Sequence, residues 1–386
     1  MREKQLPHKT TANEILVCNY LLRICFLFSI LTPEKKEIVV ITGGSGFLGQ
    51  HIVRQIQQHT AHVGEIRILD VKPYDDLIPT KTILSSVNDI CGVRQALHGA
   101  DSVIHVAGLI SYGTFPDING MEKINIEGTR TVIEACIKEN IERLIFCSTV
   151  DVVIGHEDIT NGTEETGIPD DFLFPGYPDT KFRAERLILE ANGTRLNSGK
   201  QLFLIHTISL RPNVMYGEGD PYYVTTALRN ARDNNGVLIR VGDGSALFQQ
   251  TYVGNAAWAF LCADAALKNN PSQVSGQVFF VPDNTPLQNT FTFMNYFLKD
   301  QNLNLSRFYL PWKFVYVTLY FIELVLKALK PLVNLSLPAQ SCSVKYINMN
   351  LYFSPQKSRQ LLGYKPFYSP HQSLEKSALF YKNFPL

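Results

Sequence analysis

From Glu37 onward, short β-branched runs alternate with helix-length amphipathic segments, a rhythm that predicts βαβ units and a parallel sheet. Strand candidates are residues 37–42, 65–70, 102–106, 143–148 and 202–211, with helices fitting at 47–58, 121–138 and 177–191. That order predicts an α/β fold with a doubly wound parallel sheet. Past residue 211 the alternation weakens to a helix near 255–267, a short strand at 277–281 and a long apolar segment around 308–332. The reading divides the chain into an N-terminal extension (1–36), a sheet-bearing domain (37–211) and a smaller C-terminal lobe (212–386).

Two apolar segments stand outside this rhythm. Residues 15–31 follow a mixed basic leader and end at Thr32-Pro33; Arg23 interrupts them and no small-residue cleavage site follows, so an anchor and an inert extension both remain open. Residues 312–330 lie between Pro311 and Pro331. There Lys313, Tyr316, Tyr320, Glu323, Lys327 and Lys330 recur at steps of three and four, forming one narrow polar stripe on which Glu323 and Lys327 are placed to pair. Spanning a bilayer would sink both charges at roughly 2.5–3.5 kcal/mol each, whereas a helix lying in the interface keeps them wet. This predicts a monotopic helix with membrane lipid as a partner; a helix packed inside the lobe is the alternative.

Composition narrows the classes. With 386 residues, 45% hydrophobic and 18% charged, the chain can bury a full core. A net charge of +1 and the lack of a basic block argue against a nucleic-acid partner. The seven cysteines have neither disulfide-framework nor metal-site spacing, which points to reduced thiols, a cytosolic face and no metal.

The first strand runs directly into Gly43-Gly44-Ser45-Gly46-Phe47-Leu48-Gly49, and a helix follows. In that setting Gly43 can make the tight turn, Gly46 can let a pyrophosphate approach backbone N–H groups, and Gly49 can allow close helix packing. Gly43, Gly46, Phe47 and Gly49 therefore form the candidate dinucleotide cradle of a Rossmann domain. The second strand ends in Asp70, where a carboxylate would accept hydrogen bonds from the adenosine ribose and repel a 2′-phosphate, which selects NAD over NADP. Asp89 and Ile90 fall where a later strand end would meet the adenine ring.

Tyr177 and Lys181, in Tyr177-Pro178-Asp179-Thr180-Lys181, face the same side of a helix. Hydride can leave an alcohol carbon only as the hydroxyl proton is removed, and a phenol of pKa about 10 needs a neighbouring cation to become the base. Lys181 would supply that charge and hydrogen-bond the nicotinamide ribose. A third hydroxyl should hold the substrate oxygen. Thr149 is the choice and Ser148 the fallback, because adjacent strand residues point opposite ways. Asn125 lies on the helix beneath and would either anchor a relay water or cap or bend that helix.

Taken together these residues resemble the extended short-chain dehydrogenase/reductase superfamily, and within it the 3β-hydroxysteroid dehydrogenase/Δ5→4-isomerase family, over roughly residues 37–384. The resemblance also rests on Ile104-His105-Val106-Ala107, Leu210-Arg211-Pro212, Tyr216-Gly217-Glu218-Gly219 and Tyr252-Val253-Gly254-Asn255-Ala256-Ala257-Trp258-Ala259. It implies Tyr177 as proton acceptor, Lys181 as its activator, Thr149 at a position usually Ser, and Pro212 flanking the nicotinamide. It further implies NAD-dependent oxidation of a 3β-hydroxyl on a steroid or sterol, association with endoplasmic reticulum or mitochondrial membranes, and a second copy of the chain among the partners, as a homodimer.

The chain departs from the pattern at Asp283-Asn284-Thr285-Pro286, where bifunctional members carry Asp-Asp. An amide at 284 cannot act as a base, which puts isomerisation in doubt, although Asp283 could move a proton alone. A dehydrogenase, decarboxylating or not, for another sterol or lipid alcohol shares the same chemistry. A sensor that binds NAD without turnover is the rival from another class, and the intact Tyr177 and Lys181 argue against it.

Overall fold

The computed structural model describes residues 36–74, 80–197, 203–329, 337 and 339–385. The N-terminal apolar stretch at 15–31 lies outside the described residues. Seven strands form the central sheet: β1 (Glu37–Thr42), β2 (Val63–Asp70), β3 (Lys81–Leu84), β4 (Ser102–His105), β5 (Arg143–Cys147), β6 (His206–Arg211) and β7 (Gln277–Phe280). Their spatial order is β7-β6-β5-β4-β1-β2-β3, and every neighbouring pair is parallel. The order reverses direction between β1 and β4, and ligands of open α/β sheets bind at the strands' carboxyl ends beside that reversal.

The β-branched runs are nearly unbroken because both faces of the sheet are covered. Val39, Ile41, Ile104, Ile145 and Ile208 pack under the helices Phe47–His59 and Val253–Asn269. Val40, Val103, Leu144 and Phe146 pack under Ile90–Leu97, Gly128–Glu139 and Tyr177–Ala191. A third apolar cluster, with Val150, Val152, Phe174, Phe248, Met349 and Phe353, joins the end of β5 to later parts of the chain.

Two expectations change. The helix Val253–Asn269 and strand β7 return to the sheet, so residues beyond 211 do not form one continuous lobe; what remains there is built on short parallel pairs such as Val237–Val241 with Asn304–Leu310. The helix expected at 121–138 is composite: Ile118–Met121 leads into a π-helical turn, Glu122–Glu127, and then into Gly128–Glu139. Such π-turns often mark functional positions, and this one carries Asn125.

The late apolar segment is a helix, Trp312–Leu329. Lys313, Tyr320 and Lys327 of its polar stripe are exposed, whereas Glu323 turns inward. Glu323 is buried and accepts hydrogen bonds from the Ser341 backbone N–H and hydroxyl, both at 2.7 Å. The expected pairing with Lys327 is thereby replaced: a carboxylate at the N-terminus of the helix Ser341–Tyr346 meets unpaired amides and the positive end of the dipole. Spacing along one helix could not reveal a partner on another.

Gly49 sits where β1 meets its helix, and a Cβ there would stand 2.6 Å from Gly44 Cα and collide with the Gly43 carbonyl oxygen. Backbone atoms cannot rotate away. Gly49→Ala should therefore destabilise the fold by about 1–3 kcal/mol, read as a lowered thermal midpoint; an unchanged midpoint would mean that the loop relaxes freely.

Candidate active site

The glycine loop has the geometry of an anion cradle. Gly43 adopts φ +73°, and a Cβ there would come within 2.7 Å of Ala107 Cα. Gly46 is the N-cap of the helix Phe47–His59 and supplies no capping side chain, so the helix's first N–H groups remain unspent. Phe47 opens that helix, its ring edge-on to His51 at 6.1 Å. Asp70 Oδ2 accepts from the Ser45 N–H and Oδ1 from the Lys72 N–H, each at 3.0 Å. A carboxylate has about four lone-pair sites, so two stay open toward a ribose. Asp89 is occupied differently: it caps the helix Ile90–Leu97, accepting from Cys91 N–H at 3.1 Å and Ser85 Oγ at 2.8 Å. Those bonds, Ser85's foremost, hold its carboxyl below the usual range. Ile90 is half-buried against the sheet.

Beneath the reversal point His105 bridges β1 and the Gly128–Glu139 helix. Its Nδ1 lies 2.6 Å from Thr42 Oγ1 and its Nε2 3.0 Å from Thr129 Oγ1. Thr129 spends its own proton on the Asn125 carbonyl at 2.6 Å, so it must accept from Nε2–H, leaving Nδ1 to accept from Thr42. Burial, with a contribution from Lys181, pushes the ring down to about 3. Asn125 is a clamp. Its Nδ2 donates to the Leu109 carbonyl at 2.9 Å and to Thr180 Oγ1 at 3.0 Å, while Oδ1 accepts from Leu109 N–H at 2.7 Å. Both donors are used in tying the loop after β4 to the Tyr177–Ala191 helix, so neither N–H is left for a relay water.

Tyr177 opens that helix with Pro178 in its first turn, and Tyr177, Lys181 and Glu185 follow one another down one buried face. Glu185 accepts from Ser209 Oγ at 2.8 Å and from Arg211 Nε at 3.0 Å, which fixes the helix against β6. The Lys181 ammonium lies 4.2 Å from the Phe146 ring centre. Burial lowers its pKa, and the Cys147 and Glu185 charges oppose that.

Beyond the sheet proper, β5 and β6 stay paired through Ser148 N–H to the Leu210 carbonyl at 2.7 Å and Val150 N–H to the Pro212 carbonyl at 3.1 Å. Between those bonds Thr149 is extended, and its hydroxyl accepts from Asp151 N–H at 3.2 Å on the side of the chain that faces Tyr177. Ser148, pointing the other way, has a buried hydroxyl without a partner. The same pairing brings Pro212 beside Thr149.

Three residues here escaped sequence reasoning: Asp151, Tyr112 and Tyr346. Tyr346 Oη donates to Asp151 Oδ1 at 3.1 Å, and the Tyr112 ring stands edge-on to Tyr177 at 5.9 Å. A usable signal did exist, since Asp151 is a lone charge inside Val150–Ile154. Burial pushes it up to about 6 against the bonds from Tyr346 and Thr149. Burial first, then Asp151 and Cys147, raise the Tyr177 phenol well above its usual value, with Thr149 opposing.

The Asp283–Asn284 pair is engaged elsewhere. Asp283 accepts from Tyr252 N–H at 3.0 Å, Asn255 Nδ2 at 2.9 Å and Thr285 N–H at 2.8 Å, and burial raises its pKa. Asn284 is exposed and accepts from Arg359 Nη2 at 2.9 Å. The carboxylate expected to move a proton alone is thus held as a structural acceptor.

The family model of the 3-beta hydroxysteroid dehydrogenase/isomerase family matches residues 40–312. Human 3 beta-hydroxysteroid dehydrogenase type 7 is 31% identical over 359 residues, covering 90% of this chain and 96% of that protein. The mouse protein of the same name is 30% identical, covering 87% and 93%. Among solved structures, MoeE5 in complex with UDP-glucuronic acid and NAD matches with a TM-score of 0.64 at 19% identity, covering 89% of this chain and 98% of that one; this likeness concerns the fold.

His105 yields a pH prediction. Its ring is neutral in the fold and protonates near 6.5 once unfolded, so its contribution to stability is complete above about 6.5 and declines as pH falls from there toward about 3. Its imidazole resonances should not titrate between pH 5 and 8 in the folded protein; a midpoint in that range would show the ring to be solvated.

Proposed function

Because this chain belongs to the 3-beta hydroxysteroid dehydrogenase/isomerase family, we propose that it oxidises the 3β-hydroxyl of a steroid or sterol to a ketone with NAD as cofactor. The observation that carries the reading is the convergence of Tyr177, Thr149 and Lys181 at the carboxyl end of β5, beside a glycine cradle with open N–H groups. Gly43, Gly46, Phe47 and Gly49 would hold the pyrophosphate, Asp70 the adenosine ribose, Lys181 the nicotinamide ribose and Pro212 the nicotinamide side. The bound dinucleotide supplies the hydride acceptor. Tyr177 takes the hydroxyl proton, and the Thr149 hydroxyl orients the oxygen that loses it. Asp70, an anion fixed by two amides, disfavours a 2′-phosphate. With Asp283 occupied and Asn284 at the surface, a Δ5-3β-hydroxysteroid accumulates as the unconjugated ketone.

One assay tests these points. Purified protein with NAD or NADP and a panel of 3-, 7-, 11- and 17-hydroxysteroids should produce NADH with a 3β-hydroxyl, more efficiently than NADPH, and the conjugated enone's ultraviolet band should lag behind NADH. Tyr177→Phe should abolish turnover while leaving NAD binding largely intact. More than a tenth of the unmutated kcat in that variant would remove Tyr177 from the mechanism.

We further place the protein on the cytosolic face of the endoplasmic reticulum membrane. Among the described residues no helix is long and apolar enough to cross a membrane. The helix Trp312–Leu329 nevertheless presents an apolar outer face, with Phe314 71% and Phe321 66% exposed, and Phe308 before it is 86% exposed. Such a contiguous surface suits insertion at the lipid boundary. The five described cysteines are free, in keeping with a reducing compartment. A version lacking residues 1–33 should co-sediment with phospholipid vesicles, and Phe321→Glu with Leu324→Glu should release it; failure of the truncated protein to bind vesicles would sink the membrane reading.

A further inference from the structure

We propose that the helix Trp312–Leu329 and the strand before it dock on a bilayer of net negative charge, with Arg307, Lys313 and Lys327 contacting anionic phospholipid headgroups. This rests on the membrane reading above and adds to it the class of lipid and the roll of the helix. The protein covers little of this helix. Glu323 and Leu326 are its buried residues, while Phe314, Val317, Phe321, Leu324 and Val325 are exposed. At about 100° of turn per residue, Phe314, Phe321 and Val325 stand opposite Glu323, so the apolar face points directly away from the protein. Phe308 and Leu310, exposed on the strand Asn304–Leu310, continue that surface.

The two flanks of that face differ. One carries Ile322 and Leu329, which are exposed and apolar. On the other, Tyr316, Lys327, Tyr320 and Lys313 follow one another within about 80° of Glu323. The rings there are ordered: Trp312 is edge-on to Tyr316 at 6.5 Å, Tyr316 stacks with Tyr320 at 6.2 Å, and Lys313 Nζ lies 5.7 Å from the Trp312 ring centre. Tryptophan and tyrosine, apolar in body and polar at the tip, settle at the level of lipid headgroups, and lysine reaches the same level by laying its stem along apolar surface. A Trp-Tyr-Tyr row edged by two lysines marks the headgroup level on one flank of a helix whose other flank is apolar, and that asymmetry sets the roll.

The sign of the rim selects the lipid. Glu323 is the helix's acidic residue, and it is spent inside the protein on the Ser341 N–H and hydroxyl. An outward Glu323 would cancel one lysine; its inward turn leaves the exposed charge of the helix cationic. Arg307 is exposed on the preceding strand, and Arg240, on the paired strand Val237–Val241, donates from Nη2 to the Arg307 carbonyl at 2.7 Å, which adds a further positive charge beside it. Asp243, two residues past that strand, adjoins this surface, but its carboxylate already accepts from Ser245 N–H at 2.9 Å and Ser245 Oγ at 2.7 Å. The chain as a whole carries a net charge of only +1, so attraction to an anionic surface has to come from this local rim. Each cation held close to an anionic bilayer strengthens association about fivefold, hence three give roughly a hundredfold, and a zwitterionic surface supplies none of it.

Trp312 supplies a local reporter. The chain has two tryptophans, and the other, Trp258, packs on His59 and Phe367. In the full-length Trp258→Phe protein the emission of Trp312 should shift to the blue as the helix enters lipid, and residues 1–31, which hold no tryptophan, add no signal of their own. With vesicles of phosphatidylcholine carrying about one-third phosphatidylserine, half-saturation should need roughly a hundredfold less lipid than with phosphatidylcholine alone at low ionic strength. The difference should collapse at about 1 M salt, where the screening length is about 3 Å. Arg307→Gln, Lys313→Gln and Lys327→Gln combined should remove most of the preference at an unchanged thermal midpoint, since all three side chains are exposed. An equal response of the unmutated rim to the two vesicle types, or a preference undiminished by the triple substitution, overturns the proposal and leaves the membrane reading standing. No emission shift on either vesicle overturns both.

Discussion

Two backbone hydrogen bonds past the end of the sheet decide which way the site faces. Ser148 N–H to Leu210 and Val150 N–H to Pro212 prolong the β5–β6 ladder by three residues, and the alternation of an extended chain then sends Thr149 to one side and Ser148 to the other. A slip of one residue would exchange them. Everything that follows is hung on that register. Thr149 faces Tyr177 because the helix Tyr177–Ala191 is itself tied to β6 through Glu185 and Arg211. The loop after β4 is tied to the same helix through Asn125.

Much of this was legible from residue order, and for a local reason. The glycine loop, the carboxylate ending β2 and the Tyr177/Lys181 spacing each depend on neighbours within one strand–turn–helix unit, so pattern and geometry coincide. The choice of Thr149 over Ser148 rested on the same alternation that the structure displays. What could not be read depends on contacts between distant segments. Asp151 acquires its character from Tyr346, and Glu323 acquires its partner from Ser341 rather than from Lys327 one turn away. The return of β7 and the helix Val253–Asn269 to the sheet is likewise a matter of topology that hydrophobic rhythm does not encode.

The electrostatics share one cause. His105, Tyr177, Lys181 and Asp151 are all buried, and in each case burial is the largest influence, favouring the neutral form. A dry site of this kind makes free charge expensive but proton exchange between matched neutral groups cheap, because no solvent shell has to be rebuilt. The geometry answers with hydroxyls: Thr42, Thr129 and Thr180 each stand between two polar partners, acting as both donor and acceptor.

The short helix Ser341–Tyr346 is pinned at both extremities. Its first residue is held by Glu323 on the apolar outer helix, and its last hydroxyl is held by Asp151 near Tyr177. Six residues of helix span only about 9 Å, too little to bend. The element is therefore a strut, and a stiff strut transmits displacement instead of absorbing it. Wherever the outer helix comes to rest, its seat is mechanically in series with a carboxylate in the interior, and the two cannot be adjusted independently.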